Sequence, residues 1–221
     1  MEALLTLRQV RLAGQLSHLL YAPRAQRNEA DKLPLVLFLH GSGERGDGEG
    51  ELERVKRYGL PHVLETRNPF SEEVIALAPQ CFEETRWTDY LDALKSLVDD
   101  AVERYSVDVD RIYLTGLSLG GQGVWHLGAA HPDLFAALAP VCGRSNPERA
   151  CALKEMPVWA FHGAKDERVP LAESTRMVDA INACGGHAKL TVYPKVSHIS
   201  WDDAYNTSEL YRWLLDQSKS S

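Results

Sequence analysis

Residues 111–130 restrict the fold more than any other stretch of the chain. Arg111-Ile-Tyr-Leu-Thr115 reads as a strand, Gly116-Leu-Ser-Leu-Gly120 as a tight turn, and Gln122–Ala130 as a helix. The glycines matter because a serine on a sharp strand-to-helix turn needs small neighbours. These let the backbones pack closely and push the hydroxyl outward at the top of a sheet. A strand that feeds straight into a helix belongs to a sheet whose strands alternate with covering helices.

The flanking sequence repeats that alternation. Leu35-Val-Leu-Phe-Leu-His40 is a continuous apolar run, suited to a strand buried on both faces, and it ends in the loop Gly41-Ser-Gly-Glu-Arg-Gly46. A helical stretch is expected near 51–66, then strands at Val74–Ala78, Phe135–Val141, Val158–His162 and Lys189–Tyr193. Leu91, Leu94, Leu97, Val98, Ala101, Val102 and Tyr105 fall on one helical stripe; further helices are expected near 171–184 and 207–216. Residues 4–12 and 16–22 read as two strands turning at Ala13–Gly14. The expectation is one α/β domain over residues 1–221, with no separate lid domain. Its sheet would be mainly parallel, of about eight strands with helices on both faces and an antiparallel start.

Such sheets bind ligands outside the carboxyl ends of their strands, so polar residues just past a strand are the ones to weigh. Ser118 is the expected nucleophile. A serine hydroxyl is weak until a base takes its proton, and histidine has a pKa suited to that near neutrality. In this strand-turn-helix arrangement the chain order is serine, then acid, then histidine. His187 and His198 follow a plausible acid; His187 precedes the last strand and lies at the wrong edge, which leaves His198. Asp166, four residues beyond the strand ending at His162, is the expected acid, with Glu167 as its rival. The oxyanion of acyl transfer would be met by the backbone amides of Leu119 and Ser42, with Gly41 or Gly43 as alternatives to the second. His40 and His162 precede glycines at strand ends and are expected to bond loop backbone.

Composition narrows the partners. The net charge of −7, with no long run of Lys or Arg, argues against nucleic acid and against a membrane surface held by charge. The start MEALLTLRQVRLAG has no signal-peptide pattern, and no apolar run approaches the roughly 20 residues that cross a bilayer. A soluble, cytoplasmic protein without membrane or nucleic-acid partners is expected. Cys81, Cys142, Cys151 and Cys184 show no metal-ligand spacing and are expected to be reduced thiols, with a Cys81–Cys142 bridge left open. No cofactor and no metal is implied.

Leu39-His-Gly-Ser-Gly-Glu-Arg-Gly46, Ala78-Pro-Gln-Cys81, Trp87, Tyr113-Leu-Thr-Gly-Leu-Ser-Leu-Gly-Gly121, Phe161-His-Gly-Ala-Lys-Asp166 and Ser197-His198 carry a further signal. In these segments the chain resembles the small, lidless α/β-hydrolases: carboxylesterases, phospholipase/carboxylesterase-like proteins, and feruloyl-esterase and dienelactone-hydrolase relatives. The resemblance implies hydrolysis of a small-molecule carboxylic ester, on short or aromatic acyl groups, with Trp87 lining the acyl or alcohol pocket. Acyl-thioester, lysophospholipid or peptide hydrolysis on the same three residues is the alternative. Trp125 and Trp201 are expected in the core.

Overall fold

The computed structural model describes residues 5–10, 16–23, 32–48, 50–71 and 73–219. Eight strands form one sheet: β1 (Leu5–Val10), β2 (His18–Pro23), β3 (Leu33–Leu39), β4 (Ile75–Pro79), β5 (Val107–Leu117), β6 (Ala137–Val141), β7 (Trp159–Gly163) and β8 (Lys189–Tyr193). Their spatial order is β1-β2-β4-β3-β5-β6-β7-β8. β2 runs antiparallel to both its neighbours, and every pairing from β4 through β8 is parallel. The antiparallel start is therefore present, although the turn expected at Ala13–Gly14 lies outside the described residues.

Strand geometry and side-chain chemistry together explain why the sheet carries helices on both faces. Successive residues of a strand point to opposite sides. Along β3, Leu35, Leu37 and Leu39 enter one apolar cluster while Val36 and Phe38 enter the other, and all five are buried. Helices α2 (Leu91–Arg104), α3 (Leu119–Ala130) and α4 (Ala172–Ala183) cover the first side. On the second lie α1 (Gly59–Thr66), α5 (Trp201–Asn206) and α6 (Ser208–Leu215).

Three expectations need correction. The helix foreseen over 51–66 is split into a 3-10 turn at Leu52–Arg57 and α1, because Tyr58 is extended and Gly59 takes φ +68°. A side chain at Gly59 would also meet the ring of Phe38, so the break is built into the packing. The six residues of α5 were not foreseen; they pack Ala204 and Tyr205 into the core. Finally, the cysteines are not all reduced. Cys151 and Cys184 are joined by a disulfide with their Cα atoms 5.3 Å apart, while Cys81 and Cys142 are free and buried. The bonded pair sits on the 3-10 turn Pro147–Leu153 and at the C-terminus of α4, two elements that pack together. Disulfides are rare in the cytosol and persist in oxidising compartments, so this bond runs against the expectation of reduced thiols in a cytoplasmic protein. No helix among the described residues is long and apolar enough to cross a membrane.

The fold places a site as follows. β3 is joined through β4 on one side and β5 lies on its other side, so the strand order reverses between β3 and β5. Ligands of open α/β sheets bind at such a reversal, beyond the carboxyl ends of the strands. The register brings those ends to one edge: Leu39 lies beside Gly116, Leu117 beside Val141, Val141 beside Phe161, and Gly163 beside Tyr193.

Candidate active site

Ser118 stands between β5 and α3 with φ +52° and ψ −111°, a conformation that L-residues avoid. Such a backbone costs on the order of 1–3 kcal/mol and persists where the surroundings over-determine it. Gly120 supplies that constraint. A Cβ at this position would lie 1.8 Å from the Leu39 carbonyl oxygen, so only glycine lets the first turn of α3 press against the end of β3.

The hydroxyl so presented meets a continuous hydrogen-bonded chain. Ser118 Oγ lies 2.9 Å from His198 Nε2, and His198 Nδ1 lies 2.7 Å from Asp166 Oδ2. A carboxylate only accepts, so Nδ1 carries the proton and Nε2 is left as the acceptor for the serine hydroxyl. Asp166 is held by two more bonds, because its Oδ1 accepts the backbone N–H groups of Arg168 and Val169, each at 2.9 Å. The Asp166 side chain is wholly buried, whereas 11% of the His198 side chain reaches solvent. Trp201 packs edge-on against His198 with ring centroids 5.4 Å apart.

His162 does more than bond backbone. Its Nε2 lies 2.8 Å from the Val169 carbonyl and 3.2 Å from Asp166 Oδ2, so it must be the protonated nitrogen. Nδ1 then accepts the Ser174 hydroxyl at 2.7 Å. The inner carboxylate oxygen thus has two imidazole neighbours. Neither Ser174 nor this second contact was foreseen; the one hint in the sequence is a histidine four residues before the acid.

The loop after β3 is fixed from below. His40 Nδ1 donates to the Gly41 carbonyl at 2.6 Å and its Nε2 accepts the Cys81 N–H at 3.0 Å. Burial pushes this imidazole down to about 4. The Gly41 N–H donates to the buried carboxylate of Glu44 at 3.0 Å, which takes Gly41 out of the candidates for an oxyanion donor. Burial raises the Glu44 carboxyl above its ordinary value. Ser42 and Leu119 are the first residues of a 3-10 turn and of α3, where backbone amides have no acceptor within the helix.

Trp87 corrects the expectation attached to it. Its side chain is fully buried, its Nε1–H donates to the His40 carbonyl at 2.9 Å, and its ring packs edge-on against His40. Among the described residues it lines neither of two cavities that open at Ser118, and it buttresses the loop after β3. Trp201, expected in the core, is 92% buried but does line one of those cavities, of about 670 Å³.

Cys142 follows β6 with φ +42°, and its sulfur lies within 4.8 Å of the ligand atoms of Asp166 and His198. Burial pushes the thiol up to about 12, so it stays protonated near neutrality. It is the one cysteine among the metal-ligating types that the described residues bring together.

A parallel sheet with a serine elbow after its central strand, an acid after β7 and a histidine after β8 defines the α/β-hydrolase fold. Residues 67–207 match the dienelactone hydrolase family, and the chain belongs to that family. Among its relatives, NocK from Nocardia uniformis subsp. tsuyamanensis, a protein named for esterase activity, is 28% identical over 76% of this chain and 51% of its own length. The bifunctional acetylxylan esterase/xylanase XynS20E of Neocallimastix patriciarum is 25% identical over 70% of this chain and 22% of its own. The chain therefore spans only about half, or less, of these relatives. The crystal structure of a thermostable esterase superposes with a TM-score of 0.81 at 28% identity, over 98% of this chain and 64% of that one. The feruloyl esterase module of Clostridium thermocellum shares the fold, with a TM-score of 0.70 at 17% identity over 97% and 88% of the two chains.

Proposed function

We propose that the chain is a serine hydrolase that cleaves carboxylic esters of small molecules through an acyl-enzyme on Ser118. His198 acts as the base and Asp166 orients and stabilises it. In the first half-reaction the Ser118 proton passes to His198 Nε2 as Oγ bonds the ester carbon. The negative charge that develops on the carbonyl oxygen is met by the Ser42 and Leu119 amides, helped by the positive end of α3. The C–O bond to the alcohol then breaks, and the alcohol leaves with the proton held on Nε2. Water repeats the sequence on the acyl-serine, giving the acid and restoring the hydroxyl.

The observation that carries this reading is the unbroken contact from Ser118 Oγ through both ring nitrogens of His198 to Asp166. The esterase names of the relatives and the thermostable esterase support it. Short-chain or aromatic acyl esters are the proposed substrates. One catalytic domain with no separate lid domain is proposed as well, since β6 and β7 are joined by a short connection holding the 3-10 turn Pro147–Leu153. The test is hydrolysis of a panel of phenyl and benzyl esters, followed beside Ser118→Ala. The proposal requires cleavage by the wild type and a loss of several orders of magnitude in kcat in the variant. A variant that keeps the wild-type rate would refute it.

A further inference from the structure

Strand β7 turns successive residues to opposite sides of the sheet. Ala160 enters the apolar cluster beneath α4, Phe161 enters the other cluster, and His162 faces α4. An imidazole buried on that apolar side costs free energy unless its nitrogens are bonded. Here both are. The ring is wholly enclosed, with Nε2 2.8 Å from the Val169 carbonyl and 3.2 Å from Asp166 Oδ2. Nδ1 lies 2.7 Å from the Ser174 hydroxyl.

These contacts supply a constraint that the acid lacks without them. Oδ1 of Asp166 accepts the Arg168 and Val169 amides, which fixes that oxygen but leaves the carboxylate free to pivot about it. A pivot would carry Oδ2 away from His198 Nδ1, now 2.7 Å distant. The Nε2–H of His162 holds Oδ2 in place while His198 moves a proton at its other nitrogen. The same N–H meets the Val169 carbonyl, so residue 169 is bound at its amide by Asp166 and at its carbonyl by His162.

Ser174 sets the ring. By donating to Nδ1 it leaves the proton on Nε2, the nitrogen that faces two acceptors. The first turn of α4 holds Ser174 there, because the loop after β6 grips it. The Ser145 N–H donates to the Glu173 carboxylate at 3.1 Å, and the Ser145 hydroxyl donates to the Glu173 carbonyl at 2.6 Å.

Resting on the ester-hydrolase reading above, we propose that His162 and Ser174 are positioning residues of the reaction. Together they hold the inner oxygen of Asp166 against His198, so that the imidazole keeps its tautomer and its aim at Ser118 through both proton transfers. Neither residue lines the cavities described at Ser118. Their loss therefore slows the chemistry and leaves substrate binding as it was.

The test uses three variants of the full chain. His162→Leu removes both ring contacts, His162→Gln keeps an N–H donor near the position of Nε2, and Ser174→Ala removes only the hydroxyl. Each is assayed for kcat and KM on 4-nitrophenyl acetate, for its rate of fluorophosphonate labelling, and for its urea midpoint. Misplacing a reacting group from a distance can cost up to about a hundredfold, so His162→Leu should lose about tenfold to a hundredfold in kcat at unchanged KM. Its labelling should slow by the same factor. His162→Gln should recover most of that loss, and Ser174→Ala should show a smaller loss, again in kcat alone.

A lower urea midpoint with wild-type kcat and labelling would reduce His162 to a clamp on its loop and overturn the proposal. A loss carried by KM, or a glutamine no better than leucine, would overturn it too. Should His162→Leu fail to fold, Ser174→Ala decides, and a wild-type labelling rate in that variant counts against the proposal. All of these outcomes leave the esterase reading standing. That reading falls separately, if the wild type neither cleaves the ester nor takes the label at Ser118.

Discussion

Replacing Asp166 by Asn tests the geometry around the imidazole with almost no change of shape. Every polar neighbour of this carboxylate is a donor: the Arg168 and Val169 amides on Oδ1, and the His198 and His162 ring nitrogens around Oδ2. An amide cannot match that set, because one of its two ends is itself a donor. With its NH2 turned inward, His198 must accept at Nδ1 and carry its proton on Nε2, where it points at Ser118 and can take nothing from it. With its NH2 turned outward, two backbone N–H groups meet a donor, and the ring gains no charge stabilisation. The first outcome keeps the loop bonds, so the wrong tautomer is the expected state. In serine-protease triads the same wrong tautomer costs about 10⁴-fold in kcat, which corresponds to about 5.5 kcal/mol of lost transition-state stabilisation. The assay is kcat/KM on 4-nitrophenyl acetate from pH 5 to 9, with urea melts alongside to exclude unfolding. A folded variant within tenfold of the wild type at every pH would refute the tautomer argument.

Acidification should destabilise the fold through His40. The unfolded chain binds a proton near 6.5 and the folded one only near 4, so this contribution is intact above about pH 6.5 and up to about 3 kcal/mol is lost as the pH falls to 4. Urea midpoints measured from pH 7 to 4 should fall more steeply in the wild type than in His40→Gln, and equal slopes would contradict the assignment. The Cys151–Cys184 bond closes a loop across 33 residues of sequence, which a chain-entropy account values at about 3.7 kcal/mol. Cys151→Ser should lower the unfolding free energy by up to that amount, with dithiothreitol doing the same to the wild type and nothing further to the variant. Gly120→Ala should cost about 3 kcal/mol or more, since the added methyl meets backbone rather than a yielding side chain; a denaturant midpoint equal to that of the wild type would show that the elbow tolerates a Cβ.

Much of this arrangement was legible in the residues, for definite reasons. β3 and α3 could be read because a run of apolar residues buried on both faces and a glycine-flanked serine each fit few backbones. The order of serine, aspartate and histidine along the chain, each just past a strand, was enough to bring Ser118, Asp166 and His198 to the same edge of the sheet. What stayed hidden depends on which way a side chain faces or on which distant segments meet. Nothing in the sequence says that the Trp87 indole turns inward to the His40 carbonyl rather than outward to a ligand. Cys151 and Cys184 lie in segments without a spacing pattern, and only the packing of α4 against the preceding 3-10 turn joins them. His162 and Ser174 come from a strand and a helix and form no motif, so their contact exists only in the folded chain. The break at Gly59 was missed because Leu52, Val55, Leu60 and Val63 keep an apolar rhythm across it while the backbone does not.

The most direct test of the account is to map the adduct formed by a fluorophosphonate, digesting the labelled protein and locating the mass shift. A single adduct on Ser118 is expected, and it should disappear in His198→Gln even though the hydroxyl is still present. Labelling at another residue, or an undiminished rate of labelling without the imidazole, would contradict the claim that His198 activates Ser118.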